Sequence, residues 1–211
     1  MQFDIHISDG NSKIGRTHNL SMPPILSCRP GIPCAGVCYA LNSFVMYPEV
    51  MRAWTHNMML WRSDPEKFTL QFNDYMDRRR NRKFFRWFVG GDIPDHHFLE
   101  FMIESANRYT DTAFLVFTKR IDLLRYINPD SIPGNLKVII STWPGDRSYD
   151  PFLKHYAASW FVPHGEKPED RIPENAVTCP GKCEKCRYCW HVRKGHNIVF
   201  HEHGKQWRTC K

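Results

Sequence analysis

No apolar run in this chain reaches the ~18 residues of a membrane span. There is no low-complexity tract, and no internal repeat beyond a strand–helix rhythm. The first ten residues, MQFDIHISDG, lack a basic region followed by an apolar stretch. No secretory signal is therefore expected, and a reducing cytosol is the expected setting. In that setting structural disulfides are not the first reading of clustered cysteines. The sequence also shows no Ser-His-Asp arrangement and no phosphate-binding glycine loop, so it offers no pattern for a triad hydrolase or a P-loop enzyme.

What is present is cysteine in two knots. The stretch SCRPGIPCAGVCYA, Ser27 to Ala40, holds Cys28-x5-Cys34-x3-Cys38. The stretch TCPGKCEKCRYCW, Thr178 to Trp190, holds Cys179-x3-Cys183-x2-Cys186-x2-Cys189. The eighth cysteine, Cys210, stands alone beside the last residue. Thiolates this crowded point to metal. Structural zinc takes two knuckles separated by a dozen or more residues, so that two turns face each other around a tetrahedron. Four cysteines within eleven residues offer no such spacing. Cys183-x2-Cys186-x2-Cys189 instead has the compact spacing of bacterial ferredoxin runs, whose fourth ligand comes from elsewhere. Iron–sulfur is therefore expected at both knots, as one or two 4Fe–4S clusters. In one assignment Cys28, Cys34 and Cys38 take a fourth ligand from the C-terminal knot, and Cys210 completes the other cluster. In a second, Cys179, Cys183, Cys186 and Cys189 hold one cluster, and the first knot keeps an open iron. His191, His196, His201 and His203 are substitute ligands.

The 211 residues suit one domain, or one with a small appendage, and 42% hydrophobic content supports a core. Near-helical spacing of Val50, Trp54, Met58 and Trp61 predicts a helix over Pro48–Arg62, with the aromatics in the core. Asp64 as cap and Pro65 as first residue predict a second helix to about Arg80. Short apolar runs then follow: Phe84–Val89, Ala113–Phe117, Leu136–Ile140 and Ser159–Val162. Helical patterns at Asp95–Tyr109 and Ile121–Ile127 separate them. A short strand or hairpin is expected before the first cysteines. The fold class is α/β, as an open or partial parallel (βα) barrel with four or five strands plus one; a doubly wound sheet is the alternative. Residues 1–165 form the partial barrel carrying the first motif. Residues 166–211 form a linker, EKPEDRIPEN, and the cysteine-rich C-terminal segment.

In parallel α/β folds ligands bind at the carboxyl ends of strands. Those ends carry Gly90, Gly91 and Asp92, then Thr118, Lys119 and Arg120, then Ser141, Thr142 and Trp143, then Pro163 and His164. Lys119 and Arg120 suit a phosphate or carboxylate, or pair with Asp92 or Asp122. Net charge is +7, from 29 Lys+Arg against 22 Asp+Glu, which favours anionic partners or is a soluble basic surface. The run RRRNRKFFR, Arg78–Arg86, reads as a single-strand nucleic-acid patch or as a solvated helix end.

An early cysteine triplet followed by a strand ending in GGDI resembles the radical S-adenosylmethionine enzymes. That resemblance implies Cys28, Cys34 and Cys38 as cluster ligands. It also implies Gly90, Gly91 and Asp92, with Thr118 and Lys119, as the site of S-adenosylmethionine. The usual C-x3-C-x2-C spacing is not that of the first knot, and the acid is Asp92 rather than Glu. Over most of its length the chain resembles phage-encoded proteins of the gene product 88 family, through GNSKIG, CYA, FVGGDIPD, FTKR and the late cysteine knot. This implies the cytoplasm of a host cell. The functional expectation is an iron–sulfur protein with S-adenosylmethionine-type or electron-transfer chemistry and a small-molecule or electron-transfer partner. The alternative is a zinc-stapled nucleic-acid-binding protein without catalysis.

Overall fold

The computed structural model describes residues 5–79 and 83–202. Eight strands form one sheet: β1 Ile7–Ser8, β2 His18–Leu20, β3 Phe84–Trp87, β4 Ala113–Thr118, β5 Leu136–Ser141, β6 Ala157–Val162, β7 Val177–Thr178 and β8 Asn197–His201. Their order is β1-β2-β3-β4-β5-β6-β8-β7. β1 and β2 form an antiparallel pair, and every other neighbouring pair is parallel. The sheet is open, with β1 and β7 at its edges.

The helices are α1 Tyr39–Met46, α2 Pro48–Ser63, α3 Pro65–Asp77, α4 His96–Arg108, α5 Ile121–Leu124, α6 Asp150–Leu153 and α7 Cys183–Cys186. Proline opens α2 and α3, where its missing N–H is no loss. Asp64 caps α3 by accepting the Lys67 N–H at 2.9 Å, and Asp95 caps α4 by accepting that of Phe98 at 2.8 Å.

Alternation along the strands sorts the two faces. In β3, Phe85 and Trp87 turn to the helices, while Phe84 and Arg86 turn the other way. On the helical side Trp87 is the hub: Phe72, Phe85, Phe98, Phe101 and Phe114 all lie within 5.9 Å of its ring centroid. All three long helices, α2, α3 and α4, join that one cluster. The doubly wound alternative, with helices on both faces, is thus not the arrangement formed. The second face is covered instead by the C-terminal cysteine segment, through Trp190, Val192, Tyr188 and three cysteines packed on Leu115, Ile139 and Ile198.

Four expected strands form within a few residues of their expected limits, and the hairpin before the first cysteines is β1–β2. The strand count is corrected upward. β7 and β8 lie in the segment read as linker and cysteine knot, and β8 pairs with β6 over five residues. The helix α1 was not expected either. Run ends shift inward: β3 stops at Trp87 because Phe88 adopts φ 55°, and α3 stops at Asp77 rather than Arg80. No helix among the described residues is long and apolar enough to cross a membrane.

Candidate metal centre

The first knot is fixed at its root. Ser27, just before Cys28, donates from Oγ to the Pro23 carbonyl at 2.7 Å and accepts the Asp92 N–H at 3.0 Å. The buried Arg120 donates through Nη1 to the carbonyls of Ser27, Ile93 and Pro94 at 3.3, 2.6 and 2.9 Å. Its Nη2 pairs with Asp122 at 2.9 Å. Asp92 is itself buried. It accepts the Thr118 hydroxyl at 2.6 Å and the Lys119 and Ile93 N–H groups, each at 2.8 Å. These bonds tie the cysteine loop to the carboxyl ends of β3 and β4. Cys34 sits in a 3-10 turn, Pro33–Val37, and Cys38 immediately precedes α1.

The two glycines before Asp92 permit close packing. A Cβ on Gly90 would lie 2.2 Å from the Trp54 ring. Gly91 has φ +77°, and a Cβ there would lie 2.5 Å from the Met22 carbonyl oxygen and from Ser27 Oγ. Gly91→Ala is therefore expected to cost about 2 kcal/mol or more, read as a lowered urea midpoint at unchanged slope. An unchanged midpoint would remove this packing role.

The second knot is built on the sheet's other face. The Cys179 N–H donates to the Val199 carbonyl at 2.9 Å. The Gly181 N–H lies 3.4 Å from Cys179 Sγ. Arg187, at φ 52°, reverses the chain between α7 and the Tyr188–Trp190 turn. Trp190 donates to the Phe85 carbonyl at 3.3 Å and packs edge-on against Phe84. The N-terminal GNSKIG turn braces α7, because the Lys13 carbonyl accepts the Cys183 N–H at 3.0 Å. The Asn11 side chain holds that turn by accepting the N–H groups of Lys13 and Ile14 at 2.9 and 3.0 Å.

Both knots face one cavity of about 1800 Å³. Cys34 and Cys38 line it from one side, and Cys179, Cys183 and Cys189 from the other. Tyr39 stands between them. Its hydroxyl donates to the Val89 carbonyl at 2.7 Å. All seven grouped cysteines are free thiols.

Burial pushes the Cys28 and Cys189 thiols up to about 12 and raises those of Cys34 and Cys183. Cations oppose the rise, Lys119 at Cys34 and Arg86 at Cys183 and Cys189. Arg86 Nε and the Tyr149 hydroxyl are buried with no hydrogen-bond partner among the described residues. Arg86 lines the cavity with the second knot, whereas Tyr149 lies in the helix-side core and does not line it. A sulfur acceptor carrying negative charge, as in a ligated cluster, would satisfy Arg86 Nε.

The raised thiols set a pH dependence for the metal-free protein. Above the ordinary value of 9.0 an unfolded thiol loses its proton, while folded Cys28 and Cys189 keep theirs up to about 12. The folded state then binds more protons than the unfolded one, so stability falls as pH rises through that window. Thermal melts of metal-free protein across the window should shift downward more than those of a variant with both residues changed to alanine. Equal shifts would contradict the burial of these thiols.

The gene product 88 family model matches residues 6–192. The chain belongs to the gene product 88 family. The matched span contains all seven grouped cysteines and ends before β8 and Cys210. No curated protein and no solved structure matches the chain. In this family member the motifs FVGGDIPD and FTKR meet at the root of the first knot, where Asp92, Thr118 and Arg120 interlock.

Among the residues expected at a cofactor site, Lys119 lines the cavity, whereas Gly90, Gly91, Asp92 and Thr118 do not. Arg120 pairs with Asp122, and the Lys119 side chain bonds Ser141 at 2.5 Å. Among the expected ligands, Cys28 is half-buried and Cys186 is exposed, and neither lines the cavity. Cys210 and His203 lie outside the described residues. His201 lines the cavity, while His196 accepts the Arg193 N–H at 2.7 Å. In the basic run, Arg78 pairs with Asp74, Arg79 stacks on Tyr75, and Arg86 faces the cavity. Residues 80–82 lie outside the described residues. Sequence reasoning missed Arg86 and Tyr39 as site residues. Strand alternation in FFRWFV was the available signal for Arg86, since it sets that residue opposite Phe85 and Trp87.

Proposed function

We propose that this protein binds iron–sulfur clusters at its two cysteine knots and uses them in electron transfer. The supporting observation is that both knots open on one cavity, lined also by Arg86, whose buried Nε is partnerless among the described residues. Cys28, Cys34 and Cys38 would hold one cluster, and Cys179, Cys183, Cys186 and Cys189 the other. A 4Fe–4S cluster supplies one-electron redox chemistry when bound. The chain's own part is to place thiols, exclude water and set charge. Arg86 and Lys119 offset thiolate charge.

One observation favours this over zinc. No group of three His, Cys, Asp or Glu side chains among the described residues converges as a single ion requires. A cubane meets each thiolate through a different iron, so its ligands need not converge on one point. Electron transfer is favoured over S-adenosylmethionine chemistry by Asp92, whose two oxygens already take three donors inside the fold.

Anaerobic reconstitution with iron and sulfide in the presence of competing zinc tests the proposal. Iron and inorganic sulfide bound in equal amounts, with the brown colour of a cluster, are expected. Colourless protein carrying zinc alone would overturn it.

A further inference from the structure

Beyond the knots, the cavity has a second chemistry at the carboxyl rim of β4, β5 and β6. Ser141 and Ser159 are register partners on neighbouring strands. Two residues further along, Trp143 and Phe161 stack at 5.0 Å with an interplanar angle of 13°. Beside them, Lys119 Nζ bonds Ser141 Oγ at 2.5 Å and lies 6.0 Å from the Trp143 ring centroid. All five side chains line the cavity. Lys119 forms no ion pair with a carboxylate among the described residues. Three strands thus present, side by side, a cation with spare donors, two hydroxyls and an aromatic stack. The volume of about 1800 Å³ exceeds the ~300–1,000 Å³ of a pocket for one ligand, which leaves space beside the knots.

We propose that this rim is a binding site for a small organic anion with a flat heteroaromatic ring, a nucleoside monophosphate being the probe. The ammonium of Lys119 meets the phosphate as a point charge, with the Ser141 hydroxyl as a further donor, while the Ser159 hydroxyl is held by the Ile140 carbonyl. The Trp143–Phe161 pair takes the ring. Stacking on an aromatic side chain tolerates any base, so no single base is required. The site does not depend on iron for its recognition chemistry, although it shares Lys119 with the first knot, where that cation also faces Cys34.

Calorimetric titration of the full chain with AMP, UMP, adenosine and inorganic phosphate tests it, with iron content measured on the same samples. Lys119→Met is expected to weaken both monophosphates by about tenfold or more while leaving adenosine unchanged. Trp143→Leu is expected to weaken the monophosphates and adenosine by about tenfold. Melting curves establish that each variant folds, and either one suffices. Absence of monophosphate binding overturns the proposal, as does binding unchanged in both variants. Binding of a single-stranded oligonucleotide without any monophosphate binding also overturns it. Because iron is assayed separately, failure here and failure of the cluster reading are distinct results.

Discussion

The double variant Cys183→Ala, Cys189→Ala is expected to lose all iron and sulfide of the C-terminal knot. These two thiols flank the αL turn at Arg187, and both face Arg86. On the proposed reading, two of four ligands gone would leave too few thiolates to hold a cluster. The consequence extends into the fold, because binding free energy at a metal site is also folding free energy. Trp190 and Tyr188 beside these cysteines cover the second face of the sheet. Without the cluster this cover rests on its apolar contacts and on the bond from Cys183 N–H to Lys13. The N-terminal knot belongs to a separate loop and should keep its iron. Iron and sulfide assays on the variant, against a matched Cys28→Ala, Cys34→Ala pair, give the partition. Equal iron in all three proteins would contradict a role for these thiols.

Arg120→Met should have the largest effect of any change outside the cysteines. One guanidinium serves the Ser27, Ile93 and Pro94 carbonyls and Asp122 together. Methionine fills similar space and satisfies none of them. Asp122 is partly solvent-exposed, so the loss falls on the carbonyls, and each buried acceptor left unsatisfied costs about 1–3 kcal/mol. The loss is directional, because the Ser27 carbonyl lies at the root of the first knot. Stability should fall, and iron should fall at the first knot while the second is retained. Chemical denaturation with iron analysis measures both. A fully loaded, equally stable variant would show that the network has no part in holding the cysteine loop.

The strands of the sheet's middle were legible because FFRWFV, AFLVF, LKVII and SWFV are short, apolar and β-branched or aromatic between polar breaks. β8 was not, because Asn197–His201 sits among cysteines and histidines that suggested ligands rather than a strand. The cysteines were legible from spacing alone. That both knots line one cavity was not, since it depends on β8 returning the late segment to the sheet and on the GNSKIG turn bracing α7. GGDI is ambiguous in a definable way. Two glycines and an acid after a strand suit a cofactor, yet they equally suit close packing, and here Gly91 has room only for hydrogen against Met22 and Ser27. A local motif carries no sign of which neighbour will approach it. The basic run shows the same limit: Arg86 reads as one more surface cation until strand alternation turns it to the cavity.

Diffraction from a crystal grown without oxygen, with data on either side of the iron absorption edge, decides most directly whether the knots hold clusters. Anomalous peaks from iron, bonded to the sulfurs of Cys34 and Cys38 on one wall and of Cys179, Cys183 and Cys189 on the other, are the expected result. Sulfurs joined to each other, or ringed around an ion that scatters anomalously only beyond the zinc edge, would contradict it.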